Sequence, residues 1–306
     1  MTNHGLFNSA VRMPEPKTLG LDRLYLERSL HNGLYHGTDV DGYLDKALRS
    51  MLVRTEGPVL EVGCGTGKFA HYLSTLTDRQ VCGIDIDQNA IAVANQEYGN
   101  VRNLRFNVGN VYDLNKNFSE VGLVSTMMSL HHFDDLGEAM NQITGVLNPG
   151  GFVLIHDWER GLALPDIENC GLERPVMDEL YGAHAASEQT VNETIRKNGL
   201  SDDPSILTFF SVLAAYTKKE VVKALDRLGF YSETTMVLGD AKFYLAAYRA
   251  NPLKRTIHGL CDALYDTVGS RITDYWIAHH GFTTGTRIDI EKELGLKPPL
   301  VNFKEK

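Results

Sequence analysis

The strongest constraint in this sequence is the run from Val59 to Ala70, Val-Leu-Glu-Val-Gly-Cys-Gly-Thr-Gly-Lys-Phe-Ala, in which an apolar stretch meets three alternate glycines and then a helical pattern. Glycine is required where the backbone turns through left-handed angles or where a Cβ would obstruct a ligand lying against the chain. A strand that turns into a helix through such a loop is one unit of an α/β fold. Short apolar runs at 81–84, 104–108, 122–125 and 152–155 repeat the pattern, alternating with longer amphipathic segments. That alternation calls for right-handed crossovers and a doubly wound, mostly parallel sheet. Two nucleotide-binding loops are excluded by residue identity. GxGxxG needs glycine at 68, where Lys68 stands, and GxxxxGK[ST] needs glycine at 62 and a hydroxyl at 69, where Val62 and Phe69 stand.

The flanks read differently. Residues 1–56 carry a helical pattern with Leu19, Leu21, Leu24, Tyr25 and Leu30, a turn at His36-Gly37-Thr38, and a second helix through Tyr43, Leu48 and Leu52. A core over 57–250 is interrupted at 158–215 by a segment ending in an apolar block from Ile206 to Tyr216, after which a helix at 217–228 and strands near 231–237 and 242–249 resume the alternation. The tail, 251–306, holds one amphipathic helix at 253–280 whose apolar stripe implies a homodimer or larger assembly. The expected domains are thus an N-terminal helical cap, a core with a helical lid insertion, and a C-terminal helical tail.

Charge and cysteine content narrow the classes of partner. With 30 Lys+Arg against 39 Asp+Glu the formal charge is -9, the wrong sign for affinity toward nucleic acid or an anionic membrane. Cys64, Cys82, Cys170 and Cys261 share no metal-ligand spacing, and His279 and His280 diverge on a helix, so no metal is assigned. Free cysteines and the lack of a long apolar run point to a cytoplasmic protein.

Five segments together carry a resemblance. Glu61-x-Gly63-x-Gly65-x-Gly67 is followed by Gly83-Ile84-Asp85-Ile86-Asp87, by Val108-Gly109-Asn110-Val111, by Val121-Gly122 through Met127-Met128-Ser-Leu-His131-His132-Phe-Asp134, and by Leu147-Asn-Pro149-Gly150-Gly151. In this order they resemble the class I S-adenosylmethionine-dependent methyltransferases. The resemblance implies a Rossmann-like sheet of seven strands with the last antiparallel, and S-adenosylmethionine as cofactor, converted to S-adenosylhomocysteine. It implies that Glu61, Gly63, Cys64, Gly65, Gly67, Asp85, Ile86, Asn110, Val111, Met127, Met128 and His132 line the cofactor, with Asp85 on the ribose and Ile86 against adenine. Asp87, directly before a helical run, reads as its N-cap. Asn110 and Gly122 stand where the family usually has Asp.

A sulfonium methyl is already electrophilic, so the residues must chiefly align donor and acceptor and exclude water. A base is needed only for an acceptor that begins protonated. His132 is the first candidate, the alternative being that it only packs beside the cofactor; His131 is expected to point elsewhere, because neighbours diverge. His156, leaving the fifth strand with Asp157, Trp158 and Glu159, is a second candidate beside plain loop termination. Tyr25 and Tyr35 either present ring faces to the sulfonium or pack, and Phe209-Phe210 either line an apolar pocket or form core. The implied activity is in-line methyl transfer to a small molecule. A protein side chain as acceptor, or a non-catalytic cofactor-binding module, are the alternatives.

Overall fold

The computed structural model describes residues 12–17, 43–160, 170–238 and 242–249. Its centre is a parallel sheet of five strands, β1 (Val59–Val62), β2 (Val81–Asp85), β3 (Leu104–Val108), β4 (Val121–Met127) and β5 (Leu147–Trp158), in the spatial order β3-β2-β1-β4-β5. The order reverses between β1 and β4, and in such sheets ligands bind beyond the carboxyl ends of the strands at that reversal. β6 (Phe230–Leu238) and β7 (Lys242–Arg249) extend the sheet, with β7 antiparallel to both β5 and β6.

Both faces of the sheet are covered, as near-continuous apolar strands require. On one face Val59, Leu123, Phe152 and Leu154 pack with Leu48 and Met51 of α1 (Tyr43–Arg54), Phe69 and Leu73 of α2 (Lys68–Leu76), and Ile91 and Ala94 of α3 (Gln88–Tyr98). On the other, Leu60, Val62, Val124 and Val153 meet Leu114 of the short α4 (Leu114–Asn117), Met140 and Ile143 of α5 (Leu136–Gly145), and Val221 and Leu225 of α9 (Lys218–Arg227). Each of these large side chains contributes about 1.5–3 kcal/mol on full burial. Thr217 and Glu220 close a capping box at the start of α9.

Among the described residues between β5 and α9 lie three helices, α6 (Arg174–Ala186), α7 (Glu188–Lys197) and α8 (Ser205–Ala214), with an apolar core of their own that includes Leu180, Val191, Ile195, Phe209, Phe210 and Trp158. Phe209 and Phe210 are fully buried and meet edge to face at 5.2 Å, so of their two readings the core one holds. One boundary also moves. The Pro149-Gly150-Gly151 turn, expected to precede the fifth strand, lies within β5, because Leu147 already pairs with Val121 and the ladder shifts register before Leu123. Tyr25, Tyr35 and the 253–280 helix lie outside the described residues. Among the described residues no helix is long and apolar enough to cross a membrane.

Candidate active site

At the carboxyl end of β1 the chain turns through Gly63, Gly65 and Gly67, all with positive φ (75°, 51° and 81°). Space is as restrictive as angle. A Cβ on Gly63 would stand 2.5 Å from the Ser129 Cβ, and one on Gly67 would stand 2.5 Å from the Phe106 ring. The Gly63 and Cys64 amides both donate to the Ile84 carbonyl, at 2.8 and 2.9 Å, which hooks the turn to β2. Asp85, the last residue of β2, accepts from the Gly65 amide on Oδ2 (2.8 Å) and from the Asp87 amide on Oδ1 (2.9 Å). Asp87 is the N-cap of α3, accepting from the Asn89 amide at 2.8 Å.

Below the turn Glu61 is almost completely buried, and its Oε2 has no hydrogen-bond partner among the described residues. Burial pushes its carboxyl well above the usual carboxylate range; a bond from the Ala70 backbone, in the first turn of α2, opposes that, while the Asp85 charge adds to it. A buried acceptor facing no donor marks a place where a ligand cation or donor fits. Ile86 is 71% exposed and Val108 58% exposed at the ends of neighbouring strands, an apolar surface left open beside Asp85. Val108 was missed from the sequence because it ends an apolar run that reads simply as strand. The Asn110 Oδ1 accepts from the Tyr112 amide (3.0 Å) as the cap of a 3₁₀ turn. The Val111 side chain is buried beneath that turn, which leaves only its backbone to face a ligand. Cys64 is buried, and that burial raises its thiol pKa well above the ordinary value, so it packs as an inert side chain.

The ends of β4 and β5 supply the titratable groups. Met127 is buried in the sheet core, whereas Met128 takes a φ of 53°, unusual for a side chain, and donates its amide to the His156 carbonyl at 2.8 Å. Leu130, His131 and His132 form a 3₁₀ turn. The His131 Nδ1 lies 2.7 Å from the Asp157 Oδ1, and the Asp157 Oδ2 accepts from the His131 amide at 3.2 Å. Burial alone would raise Asp157, but the charge and hydrogen bond of His131, with the Trp158 amide and the His132 charge, hold its pKa below the usual value. The His132 Nδ1 lies 2.5 Å from the Oε2 of Glu15.

His131 therefore does not point away from His132. A 3₁₀ turn alone would splay the two rings by about 120°. Asp157 draws one inward and Glu15 lies across both, so the ring centroids are 4.1 Å apart and the His131 Nε2 stands 3.9 Å from the Glu15 Oε1. His156 is elsewhere: buried, level with Met127 in the β4–β5 register, and one residue from Asp157, hence on the opposite face of the sheet. Glu159 accepts from the Lys218 amide, and the buried Arg160 bonds the Ala215 carbonyl (2.7 Å) and Glu220 (3.1 Å), so this pair ties β5 to α9. Glu15, His131 and His132 bring one ligand atom each within 4.8 Å, a donor set that neither cysteine nor histidine spacing revealed. Its atoms are engaged internally: Glu15 also accepts from the Ser211 hydroxyl at 3.0 Å, and His131 Nδ1 belongs to Asp157.

An acidic residue anchoring a glycine turn, an orphaned buried carboxyl oxygen beneath it, and exposed apolar side chains at adjacent strand ends fit a nucleoside bearing a cationic chain. On this sheet they are the arrangement found in class I S-adenosylmethionine-dependent methyltransferases, and S-adenosylmethionine fits as the cofactor. Residues 60–155 match the family described as the methyltransferase domain. The chain is 33% identical over 111 residues to O-methyltransferase cnsE of Penicillium expansum, covering 35% of this chain and 40% of that protein. It is 28% identical over 149 residues to 27-O-demethylrifamycin SV methyltransferase of Amycolatopsis mediterranei, covering 45% and 54%. The matched region thus spans about half, or less, of these relatives' length. Among solved structures, the plantazolicin methyltransferase BpumL, crystallised with a desmethyl analogue and SAH, has the same fold, with a TM-score of 0.50, 13% identity, and coverage of 75% of this chain and 91% of that one.

Proposed function

We propose that this protein transfers the methyl group of S-adenosylmethionine to a hydroxyl oxygen of a small molecule. The observation that carries the reading is the pairing of the glycine-turn pocket at β1 and β2 with an imidazole–carboxylate cluster at the ends of β4 and β5. Relatives named as O-methyltransferases support oxygen as the accepting atom. The bound cofactor supplies an electrophilic methyl on a sulfonium.

The chain's own residues do the rest. Asp85 is the acceptor for the ribose hydroxyls, since a carboxylate can take further donors beside the two amides it already holds. Ile86 and Val108 offer apolar surface to the adenine ring, and Glu61 Oε2 offers an acceptor beneath the turn. His132, on the rim of the cluster, accepts the proton of the acceptor hydroxyl. The insertion bearing α6–α8 faces the acceptor, supported by the packing of Met128 against its core. The seven-stranded form of the sheet with an antiparallel last strand, and a reduced, cytoplasmic setting for Cys64, Cys82 and Cys170, complete the reading.

The test is turnover. Incubation with S-adenosylmethionine and a panel of phenols, carboxylic acids and macrocyclic alcohols should yield S-adenosylhomocysteine and a methyl ether or ester, followed by mass spectrometry. Cofactor binding with no methylated product across the panel would leave a binding module instead.

A further inference from the structure

The segment 12–17 is an extended strap lying between the methyltransferase sheet and the α6–α8 insertion. The Arg12 guanidinium donates to the carbonyls of Ala214 (2.6 Å), His131 (3.0 Å) and Phe133 (3.0 Å), and sits 4.2 Å over the Tyr216 ring. The Met13 amide donates to the Leu213 carbonyl (3.0 Å), the Pro14 carbonyl accepts from His184 (2.6 Å), and the Lys17 amide donates to Glu188 (3.1 Å). This places the Glu15 side chain, only 12% exposed, against the His131–His132 turn. A carboxylate withdrawn from water in this way is costly unless it is hydrogen-bonded. Its partners are Ser211 on α8 and His132 on the turn, one on each side of the strap.

We propose that Glu15 is the positioning residue of the methyl-transfer base: strap docking sets its carboxylate on His132 Nδ1, and the site is complete only with the strap in place. The inference rests on the reading of His132 as the base and adds the group that orients it. An acceptor-only carboxylate fixes the neutral imidazole with its proton on Nδ1. Nε2 is then the basic nitrogen. In the transfer step the acceptor's O–H proton moves to Nε2 as the oxygen–methyl bond forms and the sulfur–methyl bond breaks with its electron pair on sulfur. The products are methyl ether, thioether and an imidazolium held by Glu15, which afterwards loses its proton to water. Base and orienting carboxylate within hydrogen-bond reach is the arrangement expected of an activated pair.

The carboxylates around His132 act in one direction, against its burial. Burial lowers its pKa, but Glu15, by charge and hydrogen bond, outweighs that, and Asp157 from β5 and Asp85 from β2 add to the rise, so the imidazole lies above the usual histidine value. The titratable neighbour on the same turn is His131, its ring centroid 4.1 Å away and its Nδ1 on Asp157, while Arg12 is committed to the backbone carbonyls of His131 and Phe133. Because the base must be unprotonated, activity should rise with pH through this elevated pKa. Without Glu15 the midpoint should move down.

The experiment compares the full-length chain with E15Q and E15D. The His132 Cε1–H resonance, assigned by H132Q, should titrate above the ordinary histidine value in the wild type, clearly lower in E15Q, and near the wild type in E15D. With the best acceptor from the panel, the acidic limb of the kcat profile should shift the same way in E15Q, and plateau kcat should fall about tenfold or more with acceptor KM little changed. Lys17→Ala, which removes only the exposed ion pair to Asp134, should leave the His132 titration in place and controls for loosening of the strap. An unmoved His132 titration in folded E15Q overturns the proposal, as does activity lost to a chelator and restored by zinc, which would make Glu15 and the histidines ligands. If wild type turns over no acceptor yet the titration shifts, the methyl-transfer reading falls while the pairing stands.

Discussion

At the scale of single residues, the site is built from positions where one side chain, or none, is tolerated. Gly63 combines a φ of 75° with a 2.5 Å approach of its missing Cβ to Ser129, whose hydroxyl is itself bonded to the Val62 carbonyl at 2.9 Å. Gly63→Ala should therefore cost about 1–3 kcal/mol of stability, read as a lower unfolding temperature, and should weaken cofactor binding by displacing the turn. Unchanged stability would mean the turn is looser than described. Gly122, where the family resemblance leads one to expect Asp, has a direct cause: a Cβ there would meet the Glu56 carbonyl oxygen at 2.2 Å. The glycine turn, Asp85 and the Asp87 cap were legible because local backbone demands fix those residue types. Glu15 was not, since it meets His132 across 117 residues and no local pattern encodes such a pairing. The convergence of His131 and His132 was hidden for the same reason, because Asp157 and Glu15 decide it from other parts of the chain.

At the scale of elements, alternation of apolar runs with amphipathic helices located β1 to β5 and α9, since strand and helix periods differ and both faces of the sheet must be covered. The extents were less legible. Leu147 to Gly151 looks like a turn, and only pairing with β4 makes it strand. The strap was illegible altogether, being short, proline-bearing and without period. Its hold is a matter of hydrogen bonds from its backbone, the Arg12 guanidinium and the Glu15 carboxylate, with Arg12 as the main anchor. Arg12→Ala should release the strap while leaving the sheet intact. Net hydrogen bonds of this charged kind contribute about 1.5–3 kcal/mol each, so protection of the Met13 amide, bonded to the Leu213 carbonyl, should fall at least tenfold in hydrogen exchange with core amides unaffected. Equal protection in both proteins would show the strap to be held by other contacts.

At the scale of the whole molecule, the formal charge is -9, and Asp85, Asp157 and Glu15 all lie at the strand ends and the turn that follows β4. Among the described residues three apolar cores divide the fold: two sandwich the sheet, and the third holds α6–α8 together with Trp158. The account as a whole stands on the glycine-turn pocket being an S-adenosylmethionine site. Isothermal titration of the folded full-length chain with S-adenosylhomocysteine tests this most directly. One site with affinity in the micromolar range is expected, weakened at least about tenfold by Asp85→Ala. No binding heat from the folded wild-type protein at millimolar ligand, or equal affinity in the variant, would contradict it.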